Sequence, residues 1–120
     1  LNSKMRRTGI CGAAECLLFD KAVAETHIAP IVAMLAAAGC EVRGDGAVRA
    51  SAPEAVAARP EDFGHEFLDS IIAAKVVDGL DAAIDHVETF GSHHTDMIIT
   101  EDEAAARRFL AEVDSAITMH

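Results

Sequence analysis

The stretch FLDSIIAAKVVDGLDAAIDHVETF, residues 67–90, contains the pattern that decides the fold. Its first part, Phe67–Val77, is apolar and rich in Ile and Val, which favours a buried strand. Asp78-Gly79 is a turn signal, and the apolar residues of the segment 80–90 recur on one face of a helix. A strand that leads through a tight turn into a helix is the repeating unit of α/β proteins.

The same alternation extends in both directions from this stretch. Upstream, the sequence predicts a short helix, a strand, a long helix and a short strand over residues 9–15, 16–20, 23–38 and 41–43. Residues 47–64 contain two prolines and no clear period, so we expect a loop there with one helical turn near residues 54–58. Downstream, a strand, a helix and a strand are predicted over residues 97–100, 102–113 and 116–119. Strands joined by helices need crossover connections, so the predicted fold is α/β, a mostly parallel twisted sheet with helices on both faces.

Composition narrows the class of protein. The 120 residues carry a formal net charge of −10, which argues against a nucleic-acid or anionic-membrane partner. The longest apolar run, residues 28–38, is too short to span a bilayer. The chain has no secretory signal pattern, and its three cysteines fit no disulfide framework, so we expect reduced thiols and a cytoplasmic protein. It opens on Leu1 and stops beside an apolar strand, as if it were cut from a longer protein.

Cys11 is the first candidate for chemistry. If residues 9–15 form a helix, its thiol lies in the first turn, where free backbone N–H groups favour a thiolate and can hold an oxyanion. Gly9 and Gly12 leave room for a substrate beside the sulfur. The alternative is a buried packing cysteine, which the local sequence alone favours because no partner base lies nearby. Cys16 and Cys40 are expected to be packing residues.

The histidines do not predict a metal site. His65-Glu66 begins like the zinc motif HExxH, but the fifth position is Asp69. His93 and His94 are adjacent, so their rings point apart in most conformations. The sequence contains neither of the glycine-rich nucleotide-binding motifs G-x-G-x-x-G and G-x-x-x-x-G-K-[ST], so a complete nucleotide-binding unit is not expected.

Three ordered segments resemble the catalytic domain of the gamma-glutamyl phosphate reductase family, also called glutamate-5-semialdehyde dehydrogenases, of the aldehyde dehydrogenase superfamily. They are NSKMRRTGICGAAECLL, HEFLDSIIAAKVVDGLDAAIDHVETFGS and HTDMIITEDEAAARRFLAEVDSA. The resemblance implies that Cys11 is the nucleophile. It also implies NADPH-dependent reduction of L-glutamyl 5-phosphate to L-glutamate 5-semialdehyde and phosphate in proline biosynthesis, through a thioester.

The resemblance also assigns roles to other residues. Glu66 matches the glutamate that hydrogen-bonds the nicotinamide ribose. Ser92, His94 and Thr95 match a G-S-x-H-T loop near the substrate, and Arg7 is a candidate for binding a substrate carboxylate or phosphate. Two residues depart from the family pattern, since Cys16 replaces the usual threonine and His93 the usual glycine.

The same resemblance predicts domain organisation. Residues 1–120 correspond to one catalytic domain, without the NADPH-binding domain and the C-terminal tail. We expect this piece to fold without turning over substrate, and the full-length protein to be a homo-oligomer. Two alternatives remain: another cysteine-dependent aldehyde dehydrogenase, for example one that acylates coenzyme A, or a binding module without catalysis.

Overall fold

Strands and helices alternate along the chain in the computed structural model, which describes all 120 residues. The strands are β1 (Cys16–Asp20), β2 (Glu41–Gly44), β3 (Val56–Ala57), β4 (Ile71–Val77), β5 (Thr95–Met97) and β6 (Ile117–Met119). The helices are α1 (Asn2–Met5), α2 (Ala24–Ala37), α3 (Gly46–Ser51), α4 (Gly79–Phe90) and α5 (Glu103–Glu112). Two short 3₁₀ helices span Lys21–Val23 and Pro60–Gly64. No helix combines the length and the apolar character that crossing a membrane requires.

Four of the strands form one parallel sheet in the order β1-β4-β2-β3. The apolar strand β4 lies in the interior of the sheet and pairs with both β1 and β2, with Ala73 opposite Cys16 on one side and Arg43 on the other. Parallel strands of one sheet need crossover connections, and α2 supplies the crossover from β1 to β2, which lie on either side of β4. The predicted α/β class with a mostly parallel sheet is confirmed.

Both faces of this sheet are covered. On one face, α2 and α3 enclose a core of eleven buried residues, which are Phe19, Ile28, Val32, Leu35, Cys40, Val42, Val48, Ala52, Ala55, Ile72 and Ala74. Side chains alternate along a strand, so Ala73 and Val77, which are also buried, face the opposite side. Helix α4 packs there against β1 and β4. The predicted helices on both faces are therefore present.

A second, smaller unit follows α4. Strands β5 and β6 pair in parallel, with Thr95 opposite Ile117. Between them, α5 packs on α4 through a cluster of Ile84, Phe109 and Val113. The strand predicted over residues 97–100 begins two residues earlier and ends at Met97.

The prediction for residues 47–64 is wrong in part. A helix, α3, occupies Gly46–Ser51, and its N-terminus is capped by Asp45, whose Oδ1 accepts a hydrogen bond from the Val48 N–H at 2.9 Å. The chain then forms β3, which pairs with β2, instead of a helical turn near residues 54–58. The Asp45 cap was a readable signal, but a two-residue strand has no periodicity to detect.

Candidate functional site

Cys11 lies on an exposed turn between α1 and β1. The turn spans residues 8–13, and its one internal backbone hydrogen bond runs from the Ala13 N–H to the Ile10 carbonyl at 3.0 Å. The backbone N–H groups of Cys11 and Gly12 have no backbone acceptor in this chain. The thiol therefore faces outward beside two free backbone donors, which is an arrangement that can stabilise a developing oxyanion.

The predicted helix over residues 9–15 is wrong, and so is the placement of Cys11 in a helical first turn. A seven-residue segment with Gly9 and Gly12 is a poor helix former, because each glycine is unfavourable and helix nucleation is costly. A methyl group at either glycine would meet no atom within 4 Å, so the space expected beside the sulfur is present. The packing alternative for Cys11 is contradicted by its exposure.

The two ends of the Cys11 turn are joined at their base. The Lys4 ammonium in α1 donates to Oε2 of Glu15 at 2.9 Å, and the Lys4 side chain is 1% exposed. One residue earlier on each side of this contact, the Ala14 N–H donates to the Ser3 carbonyl at 2.8 Å. The chain between these contacts is a closed loop with Cys11 at its outer part.

A cavity of about 330 Å³ lies beside this turn. Its lining residues are Asn2, Ser3, Arg6, Arg7, Ile10 and Gly12. Neither Arg6 nor Arg7 forms an ion pair within the chain, although the protein as a whole is acidic. Cys11 itself does not line the cavity, but its two neighbours in sequence, Ile10 and Gly12, do. Two unpaired guanidinium groups in this cavity suit an anionic ligand. Arg7 was predicted to bind an anion, and the adjacent Arg6 lines the same cavity.

Glu66 is exposed and lies in an irregular segment that precedes β4 by several residues. Its carboxylate forms no ion pair within the chain. The next two residues are fixed through their backbone, because the Phe67 and Leu68 N–H groups both donate to the Glu15 carboxylate at 3.2 Å. No functional role was predicted for Glu15, yet the Glu15 carboxylate links the Glu66 segment to the base of the Cys11 turn.

The Glu66 segment is also held from its N-terminal side. Asp62 is 5% exposed and accepts hydrogen bonds from the Arg59 N–H at 2.8 Å and from Arg43 at 3.1 Å. Burial raises the pKa of Asp62, but the hydrogen bonds from Arg59 and Arg43 outweigh it and leave the pKa lowered. Arg43 also stacks over the Phe67 ring, 5.2 Å from its centroid. These contacts place Glu66 on an ordered segment.

Ser92 and His94 lie on the loop that connects α4 to β5, and Thr95 is the first residue of β5. His94 Nδ1 lies 2.6 Å from Thr95 Oγ1, and Ser92 is exposed. None of these three residues, nor Glu66, lines the cavity beside Cys11. Within this chain the cavity is built from residues 2–12 alone.

The backbone conformation at His93 suits glycine, the residue that the family resemblance implies at this position. Its φ is +59°, in the left-handed region where glycine is favoured. The His93 ring donates from Nδ1 to the Asp114 carbonyl at 2.6 Å, and this bond raises the pKa of His93. The hydrogen bond gives histidine a reason to occupy a position that suits glycine.

Cys16 and Cys40 are placed as packing residues, as predicted. Cys40 is buried in the core under α2. The Cys16 sulfur lies 3.9 Å from Nε2 of His86, and burial raises the pKa of Cys16 to about 12. His86 is 8% exposed, and burial, followed by the charge of Lys75, lowers its pKa. Both partners are therefore uncharged near neutral pH, and Cys16 is an inert thiol.

Comparison with known proteins gives concordant results in sequence and structure. The chain is 66% identical over 119 residues to a gamma-glutamyl phosphate reductase of Methylobacterium sp., and 59% identical over 120 residues to that of Rhodopseudomonas palustris. The alignments cover 99% and 100% of the chain and 28% of each relative. No protein-family model matches the chain.

The crystal structure of gamma-glutamyl phosphate reductase from Thermotoga maritima superposes on the chain with a TM-score of 0.96 at 39% identity. That match covers 98% of this chain and 28% of the crystallised one. The chain thus spans a little over a quarter of the length of these relatives. Its sequence and its fold confirm the resemblance, and the chain is homologous over essentially its whole length to one segment of the gamma-glutamyl phosphate reductases.

Proposed function

We propose that this chain is the nucleophile-bearing domain of an NADPH-dependent reductase that converts L-glutamyl 5-phosphate to L-glutamate 5-semialdehyde and phosphate. The observation that carries the proposal is the exposed Cys11 on a turn with free backbone N–H groups, since its neighbours Ile10 and Gly12 line a cavity with the unpaired Arg6 and Arg7. The similarity to reductases of that name supports the choice of substrate. The setting we propose is proline biosynthesis, by a cytoplasmic and homo-oligomeric full-length protein.

The first half of the reaction belongs to Cys11. Its thiolate attacks the acyl carbon, the carbon–oxygen bond to phosphate breaks, and phosphate leaves with that electron pair, so that a thioester remains on the sulfur. The negative charge that develops on the carbonyl oxygen is accepted by the free N–H groups of Cys11 and Gly12. Arg6 and Arg7 bind the departing phosphate or the substrate carboxylate.

The second half of the reaction needs a hydride donor. Bound NADPH would supply the hydride that, with one proton, converts the thioester on Cys11 to a hemithioacetal. Cleavage of the carbon–sulfur bond then yields the aldehyde and returns the Cys11 thiol. This chain offers the exposed carboxylate of Glu66 to the ribose hydroxyls, whereas the remaining cofactor contacts come from the part of the full-length enzyme outside the chain. Ser92, His94 and Thr95 are proposed to lie toward the substrate, on a loop separate from the cavity.

The proposal is tested in a chimera in which this chain replaces the matching segment of the Methylobacterium reductase. The reverse reaction is followed as NADPH formed from glutamate 5-semialdehyde, NADP and phosphate. Cys11→Ser is expected to abolish the activity, whereas the control Cys16→Thr is expected to retain it because Cys16 is an uncharged packing residue. Activity that persists in Cys11→Ser would contradict the mechanism. Activity with coenzyme A in place of phosphate would favour the coenzyme A-acylating alternative.

A further inference from the structure

The Glu15 carboxylate is the point at which three segments of the chain meet. It accepts the Lys4 ammonium of α1 at 2.9 Å, and the backbone N–H groups of Phe67 and Leu68, each at 3.2 Å. Glu15 itself follows the Cys11 turn by two residues and immediately precedes β1. Its backbone carbonyl also accepts the Ala73 N–H at 3.0 Å, which anchors Glu15 to the start of β4. One side chain therefore joins the base of the Cys11 turn to the segment that follows Glu66.

Burial makes this junction rigid. The Lys4 side chain is 1% exposed and the Glu15 side chain is 20% exposed. An ammonium group taken out of water needs an opposite charge at close range, so Lys4 holds Glu15 in one position. An ion pair on its own would satisfy both charges. The Glu15 carboxylate also accepts hydrogen bonds from the Phe67 and Leu68 N–H groups, so it holds the segment after Glu66 as well as the Lys4 ammonium.

The backbone geometry of the Glu66 segment depends on these two hydrogen bonds. Leu68 has a φ of +53°, a left-handed conformation that is unfavourable for leucine. Its side chain is 47% exposed, so packing contributes little to holding it there. The hydrogen bond from the Leu68 N–H to Glu15 Oε1 is the contact that compensates. The direction of the chain at Glu66, two residues earlier, follows from it.

We propose that Glu15 is a positioning residue that holds the Glu66 segment at a set place relative to the Cys11 turn. The roles of Cys11 and Glu66 in this inference rest on the proposed function. If Cys11 carries the acyl group and Glu66 binds the ribose of the hydride donor, the distance between the two must be kept in the reaction. Glu15 sets it from outside the site, because its carboxylate contacts only Lys4 and the two backbone N–H groups.

The test compares two double variants, Lys4→Met/Glu15→Gln and Lys4→Met/Glu15→Leu. Both remove the ion pair and leave no buried charge, so neither is handicapped by an unpaired ammonium. The Leu68 N–H bonds to Oε1 of Glu15 and the Phe67 N–H to Oε2, so glutamine, with one side-chain oxygen, keeps an acceptor for the Leu68 N–H, whereas leucine keeps none. A difference between the two variants at Leu68 therefore reports its hydrogen bond to residue 15.

Amide hydrogen exchange of the 120-residue chain is the first measurement. The Leu68 amide is expected to exchange roughly tenfold faster or more in the leucine variant than in the glutamine variant, because its acceptor is lost. The Ala73 amide is the internal reference, since it donates to the Glu15 backbone, and its rate is expected to be the same in both variants. Equal exchange of Leu68 in the two variants, or an equal acceleration at Ala73, would overturn the proposal.

The second measurement uses the same two double variants in the chimera with the Methylobacterium reductase. The KM for NADP is expected to be roughly tenfold higher in the leucine variant, as expected for loss of a positioned contact, while the KM for phosphate stays the same. A merely structural role would lower the amount of active enzyme and leave both KM values unchanged, and that result would overturn the positioning role. A parent chimera without phosphate-dependent activity would refute the proposed function instead, and the exchange comparison alone would then decide the role of Glu15.

Discussion

Removing one partner of the Lys4–Glu15 pair is expected to have a strongly asymmetric effect on stability. In Glu15→Leu, the Lys4 ammonium loses its acceptor while its side chain remains 1% exposed. Leaving a buried charge uncompensated costs about 3–5 kcal/mol. For a domain of this size that is a large share of a total stability of roughly 5–15 kcal/mol.

The opposite deletion is expected to be milder. In Lys4→Met, the Glu15 carboxylate keeps both backbone donors, Phe67 and Leu68, and its side chain is 20% exposed, so water also reaches it. Methionine fills the volume of the lysine stem with apolar atoms. The loss is then close to that of one hydrogen bond to a charged group, about 1.5–3 kcal/mol.

The stability of the double variant Lys4→Met/Glu15→Leu tests this reasoning most directly. It is expected to be more stable than Glu15→Leu alone, because the second substitution removes the unpaired ammonium. Urea unfolding followed by far-ultraviolet circular dichroism measures all three variants, a suitable probe since the chain has neither Trp nor Tyr. The control Glu112→Gln breaks an exposed ion pair with Arg108 and is expected to cause no measurable change. Additive costs for the two single substitutions, or a Lys4→Met cost as large as that of Glu15→Leu, would refute the reasoning.

Three further predictions concern other parts of the chain. Iodoacetamide at neutral pH should alkylate the exposed Cys11 faster than Cys16, whose pKa is about 12; equal rates by mass spectrometry would contradict the difference. Gly91→Ala should destabilise the chain by about 1–3 kcal/mol, because a methyl group there would overlap a backbone carbonyl of α4, whereas Gly12→Ala meets open space and should unfold at the parental urea concentration. The folded-state pKa of His86 lies below its unfolded value, so the unfolded chain takes up the proton first, and the stability from neutral His86 is lost as the pH falls below about 6.5. His86→Gln should show a smaller loss of stability between pH 7.5 and pH 5.5, and an unchanged pH dependence would contradict this assignment.

The longer elements could be predicted because their signals are local. Strand β4 and helix α4 were both predicted to within a few residues from apolar patterning and the Asp78-Gly79 turn. Helix α2 ends at Ala37, one residue before its predicted end, and Gly39 just beyond it has the positive φ of +85° that is typical of a glycine at a helix C-terminus. The short elements near residues 9–15 and 47–64 were mispredicted, because segments of this length contain too few periods to distinguish turns, helices and strands.

The candidate site divides in the same way. Cys11 and Glu66 were predicted from the order of motifs along the chain and Arg7 from the chemistry of its guanidinium, and these roles stay predictions; the structure shows that Cys11 is exposed and that Arg7 lines a cavity. The presentation of Cys11 was not predicted correctly, because a turn with free N–H groups takes the place of the expected helix start. No role was predicted for Arg6, because the sequence alone does not show that both arginines of the doublet line one cavity.

The sequence by itself determined the α/β class, the main strands and helices, and the resemblance that pointed to Cys11. These depend on periodicity, turn residues and motif order, all of which can be read along the chain. Only the tertiary structure decided that Glu15 binds Lys4 and the backbone of Phe67, which lies 52 residues further along the chain. Nothing local to a glutamate encodes such a contact, because it exists only once the sheet has brought the start of β1 beside the start of β4. The physical reason is that propensity acts within a segment, whereas the position of a buried charge is set by the segments packed around it.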